Sequence, residues 1–287
     1  MRQDFTPRQF MITSNYEYFH YQDQSAMEVE YHNHDFYEIY LFISGKVTYM
    51  IEGNFYKLRP GDIVFINNRE LHKPIVDPSE AYERIVLWVN PDFIRKEGTA
   101  ETHLGMCFET THAPLKKNNL IRPFSDTLIN IRSIITKFEK ASNNYGYGSD
   151  LLKQIYLIEL LVFINKAFYE TYEQDIAADI VFNDNISQII HYINQNLDSE
   201  LTLDAIATSF HCSKYHLIRE FKKYTGYTIH QYIQQKRLIV ARSLLKTGMQ
   251  VGDVCGRCGF EDYSNFIRLF KKTFGMPPKK YAKLFSQ

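Results

Sequence analysis

Two arginines stand at matching places in a repeated stretch. Ile218-Arg-Glu-Phe-Lys-Lys-Tyr-Thr-Gly226 recurs 49 residues later as Ile267-Arg-Leu-Phe-Lys-Lys-Thr-Phe-Gly275, with six of nine positions identical. A guanidinium can donate two hydrogen bonds to guanine in the major groove, an isoleucine beside it can touch a thymine methyl, and lysines farther along the helix can meet phosphates. Two other groupings bear on chemistry. His32, His34 and Glu38 follow one another closely. In a strand, residues two apart point to one side, so the three can converge, and imidazole and carboxylate are ligands for zinc, iron, manganese or nickel. Cys255 and Cys258 form a C-x-x-C, a spacing used for zinc and for redox chemistry, yet no second pair accompanies it. These two cysteines read instead as small buried residues.

The elements that must position the arginines are local. Each copy follows a short amphipathic stretch and a turn: 203–210 then His211-Cys212, and 251–258 then Gly259-Phe260. Ser213 and Asp262 suit helix N-caps, and Gly226 and Gly275 suit the stops. Helical spacing puts Leu217, Phe221 and Tyr224 on one face and Phe266, Phe270 and Phe274 on the equivalent face, which should be core. The opposite faces then carry Tyr215, Ile218, Arg219 and Lys222 in one helix, and Ser264, Ile267, Arg268 and Lys271 in the other.

The charge agrees with a polyanion at one end only. The net charge of zero conceals 15 Lys and Arg against 8 Asp and Glu in residues 184–287, and 18 against 25 in residues 1–183. The 287 residues suit two domains, at ~100–200 residues each. A content of 45% hydrophobic residues against 23% charged excludes a disordered or fibrous chain. The first ten residues lack the apolar core of a signal peptide, and the longest apolar run, near 157–164, is broken by Glu159. Four cysteines, at 107, 212, 255 and 258, make no disulfide framework. A cytoplasmic protein without a membrane segment is expected.

Residues 184–287 resemble the AraC/XylS DNA-binding domain. The resemblance is densest in Val254-Cys-Gly-Arg-Cys-Gly-Phe260, followed by Tyr263, Phe266, Arg268, Phe270-Lys-Lys, Phe274-Gly275, Pro277-Pro278 and Tyr281. The stretch 228–247, with Tyr232, Arg237, Leu238, Ala241 and Leu244-Leu245, is similar to that family's linker helix. The resemblance implies that Tyr215, Ile218, Arg219, Ser264 and Arg268 face bases. With their neighbours Ser213, Lys214, Lys222, Tyr263, Asn265, Ile267 and Lys271 they make the expected DNA-binding set. It departs from the family at His211, where glycine is common, and at Cys255, where alanine is usual; histidine is among the residues that tolerate positive φ.

In the N-terminal half, apolar and polar residues alternate in short runs at 37–43, 46–51, 54–58, 63–67 and 84–89, separated by Ser44-Gly45, Gly53-Asn54 and Pro60-Gly61-Asp62. This predicts a hairpin-rich β-barrel or jelly roll. His32-Asn-His34-Asp-Phe-Tyr-Glu38, Gly45, Pro60-Gly61-Asp62 and His72 resemble the cupin pattern, which implies His32, His34, Glu38 and His72 as a ligand set for a divalent transition metal or a small molecule. Tyr40 and Trp88 suit stacking on a sugar ring. Residues 120–172 read as two helices broken near 142–149, with apolar faces Leu128, Ile131, Ile135, Phe138 and Leu152, Ile155, Leu160, Phe163. These faces must pack on the barrel or on a second subunit.

The expected architecture is α+β: a cupin-like sensing barrel over 1–115, a helical hairpin able to dimerise over 116–175, a linker over 176–183 and two helix-turn-helix units over 184–287. The expected function is a sequence-specific, ligand-responsive transcription regulator, an activator of carbohydrate or other small-molecule utilisation genes. Its partners would be operator DNA, a small effector such as a sugar, RNA polymerase and a second copy of itself, with no catalytic role needed. Two alternatives stay open. One is a cupin metalloenzyme, an isomerase or dioxygenase, fused to a DNA-targeting module; the other is a constitutive DNA-binding protein whose barrel only dimerises.

Overall fold

Runs of aromatic and β-branched residues, punctuated by glycines at positive φ, build the first part of the chain. The computed structural model describes residues 8–23, 29–109, 118–144, 146–171, 180–181 and 183–285. It contains β1 (Tyr16–Asp23), β2 (Tyr37–Ser44), β3 (Val47–Ile51), β4 (Asn54–Lys57), β5 (Ile63–Ile66), β6 (His72–Val76), β7 (Tyr82–Val89), β8 (Leu120–Ile121) and β9 (Ile180–Val181). They form a five-stranded sheet in the order β1-β7-β2-β5-β8 and a four-stranded sheet in the order β6-β3-β4-β9. Gly45 and Gly61, at φ 115° and 95°, take the turns that the sequence marks for them.

Strand alternation divides β2 between two environments. Tyr37, Ile39 and Leu41 join the core shared with α2 (Ser125–Asn143) and α3 (Ser149–Thr171), along with Phe65, Leu87 and Phe138. Glu38, Tyr40 and Phe42 face the other way, and Tyr49 of β3 meets both Glu38 and Tyr40 there. The barrel thus has an aromatic interior and a helix-covered outer face. A short helix α1 (Pro91–Glu97) follows β7, capped by the Asn90 side chain.

The second part is all helical: α4 (Asp184–Gln195), α5 (Leu203–Ser209), α6 (Lys214–Thr225), α7 (Ile229–Lys246), α8 (Val251–Arg257), α9 (Tyr263–Phe274) and α10 (Pro278–Lys283). A reciprocal capping box between Thr228 and Gln231 starts α7. Leu238, Ala241 and Leu245 of α7 pack with Val254, Phe266, Phe270 and Tyr281 in one core. By contact the chain divides into two units: Met1–Ile51 with Phe55–Val181, and Glu52–Asn54 with Phe182–Gln287.

The architecture is the α+β arrangement expected, with four differences. β1 and β6 extend the barrel beyond the strands read from alternation. The buried face of α3 is Leu157, Leu160, Leu161, Ile164 and Ala167, whereas Leu152 and Ile155 are exposed and Phe163 is half-buried. This helix is apolar on nearly every side, so its periodicity did not identify the face. Tyr224 and Phe274 are half-buried instead of fully buried at the ends of their core faces. The expected linker lies mostly outside the described residues, and Ile180 and Val181 within it pair with Tyr56 and Phe55 as a sheet edge. Among the described residues no helix is long and apolar enough to cross a membrane.

Candidate functional site

The two repeated helices are built by their caps. The Ser213 side chain accepts from the His216 amide and the Asp262 side chain from the Asn265 amide, while Gly226 and Gly275 close the helices at φ 74° and 76°. Leu217 and Phe221 bury one face of α6, and Phe266 and Phe270 bury the same face of α9. Burial of those faces turns the others outward. Ser213, Lys214, Tyr215, Ile218, Arg219 and Lys222 are exposed, as are Tyr263, Ser264, Arg268 and Lys271. Asn265 is half-buried and accepts a hydrogen bond from Arg268 at 2.8 Å. Arg219 donates to Glu220 at 3.2 Å, and Lys214 pairs with Asp204. Ile267 departs from the expected outward set, for it is half-buried against the core of α7–α10.

Arg237 of α7 braces this region. Its guanidinium donates to the backbone carbonyls of Leu197 at 2.8 Å and Ser199 at 2.7 Å, and lies 6.0 Å from the Phe260 ring. The sequence showed Arg237 only as a position of the linker helix. Its bonding to two carbonyls some forty residues away carries no local signal.

In the barrel, His32, His34 and His72 come together. His32 and His72 face each other across an isolated antiparallel bridge, each amide donating to the other carbonyl at 3.1 Å. One potential ligand nitrogen of each of the three rings lies within 4.8 Å of the others. Each Nδ1 is engaged with a backbone carbonyl: His32 with Glu30 at 2.9 Å, His34 with Phe36 at 2.9 Å and His72 with Glu70 at 3.0 Å. Burial, reinforced by neighbouring imidazoles, holds His32 below and His72 well below the usual histidine range.

Glu38 reaches the same pocket but is already held. Cross-strand register sets it opposite Trp88, whose Nε1 donates to Oε2 at 3.0 Å, while the Tyr49 hydroxyl donates to Oε1 at 3.1 Å. His34 Nε2 lies 3.4 Å from Oε2. Burial pushes this carboxyl up, but the His34 bond and the three imidazoles outweigh it and bring it down to about 2. Tyr40 and Trp88, expected to stack on a ligand, are committed to the interior. Tyr40 pairs with the Tyr82 hydroxyl, and Trp88 lies between Phe36 and Phe19 at ring separations of 4.4 and 4.6 Å. Tyr49 was not read as a site residue; its bond to Glu38 joins strands of different sheets and carries no local signal.

A cavity of about 710 Å³ opens on the outer side of β1, lined by residues 12–15, by Tyr16 and Tyr18, by Phe138, Glu139, Ser142 and Asn143 of α2, and by Lys153. Tyr18 and His20 both bond Glu139 near it, at 2.7 and 2.9 Å. Cys255 and Cys258 are buried, as expected of small core residues.

Comparison with known proteins fits this division of the molecule. A family model described as the AraC-like ligand binding domain matches residues 14–161, and one described as a helix-turn-helix domain matches residues 206–284. The chain belongs to the AraC-like family of regulators. The HTH-type transcriptional activator RhaS of Enterobacter sp. (strain 638) is 26% identical over 258 residues, 87% of this chain and 86% of that protein. RhaS of Escherichia coli O81 (strain ED1a) is 23% identical over 268 residues, 86% and 85% of the two chains. Among solved structures, the DNA-binding domain of AdpA in complex with a target DNA covers 34% of this chain and 90% of its own, with 24% identity and a TM-score of 0.34. This AraC-like protein is therefore a ligand-responsive DNA-binding regulator of transcription.

Proposed function

We propose that this AraC-like regulator is a transcription activator that reads an operator through α6 and α9 and engages RNA polymerase when an effector is bound. The observation that carries the reading is the pair of helices capped in the same way, each with an outward arginine, Arg219 and Arg268, about two helical turns before the glycine-stopped end. Arginine gives bidentate recognition of guanine, and Lys222 and Lys271 face phosphates. The activator role is taken from the RhaS relatives.

The effector in this reading is a small polyhydroxylated molecule such as a sugar, held in the cavity outside β1. At about 710 Å³ that cavity has the size of a small-molecule site, Thr13, Ser14, Asn15 and Asn143 offer polar groups, and Tyr16, Tyr18 and Phe138 offer aromatic faces. Leu151, Leu152 and Ile155, exposed along α3, favour a homodimer, which sedimentation of the full chain tests.

The decisive experiment measures operator affinity and base preference for Arg219→Ala and Arg268→Ala. Each should weaken specific binding by ~1–3 kcal/mol and relax preference at a separate position. Lys222→Ala and Lys271→Ala should weaken all sequences alike and lower the slope of log affinity against log salt by ~0.9 per lost contact. Unchanged base preference in both arginine variants would reject α6 and α9 as the reading helices.

A further inference from the structure

We infer that Arg237 is a positioning residue that holds α6 and α9 at one separation and so sets the operator spacing this regulator accepts. The inference rests on the reading of α6 and α9 as the base-reading helices.

Two helices that enter successive major grooves have to match one turn of DNA, ~34–36 Å. The helix between them, α7, divides its contacts by position. Near its start Tyr232 packs on Phe221 of α6, with 5.3 Å between ring centres. From Leu238 onward, Ala241 and Leu245 join Val254, Phe266 and Phe270 in the core of the second unit. α7 meets α6 through 226–228 and α8 through 247–250, and short connections of that kind are where hinge motion resides. Apolar contacts are non-directional, so they hold each unit to α7 without fixing its angle.

Arg237 stands at the changeover and supplies direction. Its Nε donates to the Leu197 carbonyl at 2.8 Å and its Nη2 to the Ser199 carbonyl at 2.7 Å. Both acceptors lie in the connection that leads into α5, and so belong to the first unit. The same guanidinium lies 6.0 Å from the ring of Phe260, in the turn of the second unit. In that turn the backbone of Gly259 comes so close that an added Cβ would press into the Leu197 carbonyl oxygen and stand 2.8 Å from Arg237 Nη2. A loop of the first unit, a side chain of α7 and the turn of the second unit therefore meet at one point. Two exposed carboxylates, Asp198 on the loop and Glu261 on the turn, attract the same cation, one from each unit.

The residue type matters to this role. A guanidinium is a rigid planar fork, and two carbonyls held by one fork fix both the distance and the angle of the loop; an ammonium is a point charge on a flexible stem and fixes neither. With the fork in place, α6 and α9 move as one reader. One base pair more or less between their sites shifts the second site by ~3.4 Å and turns it about 34° around the duplex. A braced reader then has to deform the DNA or give up the contacts of one helix.

The test uses the full chain and an operator selected by the parent from random-sequence DNA. Altered preferences of Arg219→Ala and Arg268→Ala locate the two positions read, and one base pair is then inserted or removed between them. The parent should bind each altered operator ~10-fold or more weakly, as the loss of one bidentate base contact would cost. In Arg237→Gln that penalty should shrink by at least about threefold, since the reader yields in place of the DNA. Arg237→Lys keeps the charge without the fork and should fall between the two; it carries the test if circular dichroism shows Arg237→Gln unfolded. Three results overturn the inference: a parent indifferent to spacing, an unchanged penalty in the folded variant, or affinity lost in equal proportion from all three operators, which is the mark of a merely structural residue. Unchanged base preference in Arg219→Ala and Arg268→Ala is a separate failure, and it overturns the reading beneath the inference.

Discussion

The two helix-turn-helix units of this AraC-like regulator share one pattern and differ in how tightly it is enforced. In both, the second residue after the short helix takes positive φ: His211 at 50° and Gly259 at 73°. In both, a backbone amide then reaches back five residues, from Cys212 to the Ala207 carbonyl and from Phe260 to the Cys255 carbonyl, at 3.0 and 3.1 Å. The second turn then takes one residue more, because Ser213 caps two positions after His211 whereas Asp262 caps three after Gly259. His211 is exposed, so its side chain has room. A Cβ on Gly259 would press into the Leu197 carbonyl oxygen and come within 2.8 Å of Arg237 Nη2. The same backbone conformation is thus a preference in the first unit and a steric requirement in the second.

The largest predicted effect breaks the pair apart at this point. Gly259→Ala should destabilise the full chain by about 2–4 kcal/mol, since a left-handed non-glycine residue and a crowded backbone add their penalties. The Arg237 brace has to shift as well, so DNA binding should fall with stability. His211→Gly should change stability by about 0.5 kcal/mol or less, because relief of the left-handed strain offsets the extra freedom of glycine in the unfolded chain. Chemical denaturation followed by circular dichroism measures both. Equal costs at the two positions would show that Leu197 and Arg237 do not restrict the second turn.

That contrast also shows what was legible in the sequence. The caps Ser213, Asp262, Gly226 and Gly275 act within four residues, so their roles can be read locally, and the recognition faces follow from them. The crowding at Gly259 comes from Leu197 and Arg237, far away in sequence, and has no local mark. In the barrel, alternation located β2, β3 and β7. It missed β6, where Pro74 interrupts the strand signal, and β1, whose aromatics fall on both faces because both are covered. The histidine trio was legible as residue types; the restraint of Glu38 was not, since it depends on the register that sets Trp88 opposite it.

A smaller effect separates the two isoleucines. Ile218 is 44% exposed on α6, whereas Ile267 is half-buried against the core of the second unit. Ile267→Ala should cost about 1–2 kcal/mol of stability, a partial share of the cost of truncating a buried isoleucine. Ile218→Ala should leave stability within about 0.5 kcal/mol, as surface changes do, yet weaken discrimination for thymine at one operator position. Denaturation and binding to operators with single base changes separate the two. If Ile218→Ala were the more destabilising, the outward face of α6 would be misassigned.

The smallest effect concerns Cys255, which stands where the first unit has Ala207. Both are buried, and both offer their carbonyl to the amide five residues on. That equivalence makes the thiol a filler of space and separates it from the chemistry its spacing with Cys258 suggests. Burial pushes the Cys255 thiol up, and burial together with the nearby Cys255 pushes Cys258 up to about 12, so neither is a thiolate at neutral pH. A metal or an exchanging disulfide needs the thiolate. Cys255→Ala should therefore cost about 1 kcal/mol or less, the loss of one buried sulfur, and leave operator affinity and metal content as in the parent. At pH 8 a thiol reagent should leave Cys255 and Cys258 unmodified in the native chain and label both once it is unfolded. Prompt labelling of either in the native protein, or a metal ion lost with Cys255→Ala, would make the second unit chemically unlike the first and end the equivalence with Ala207.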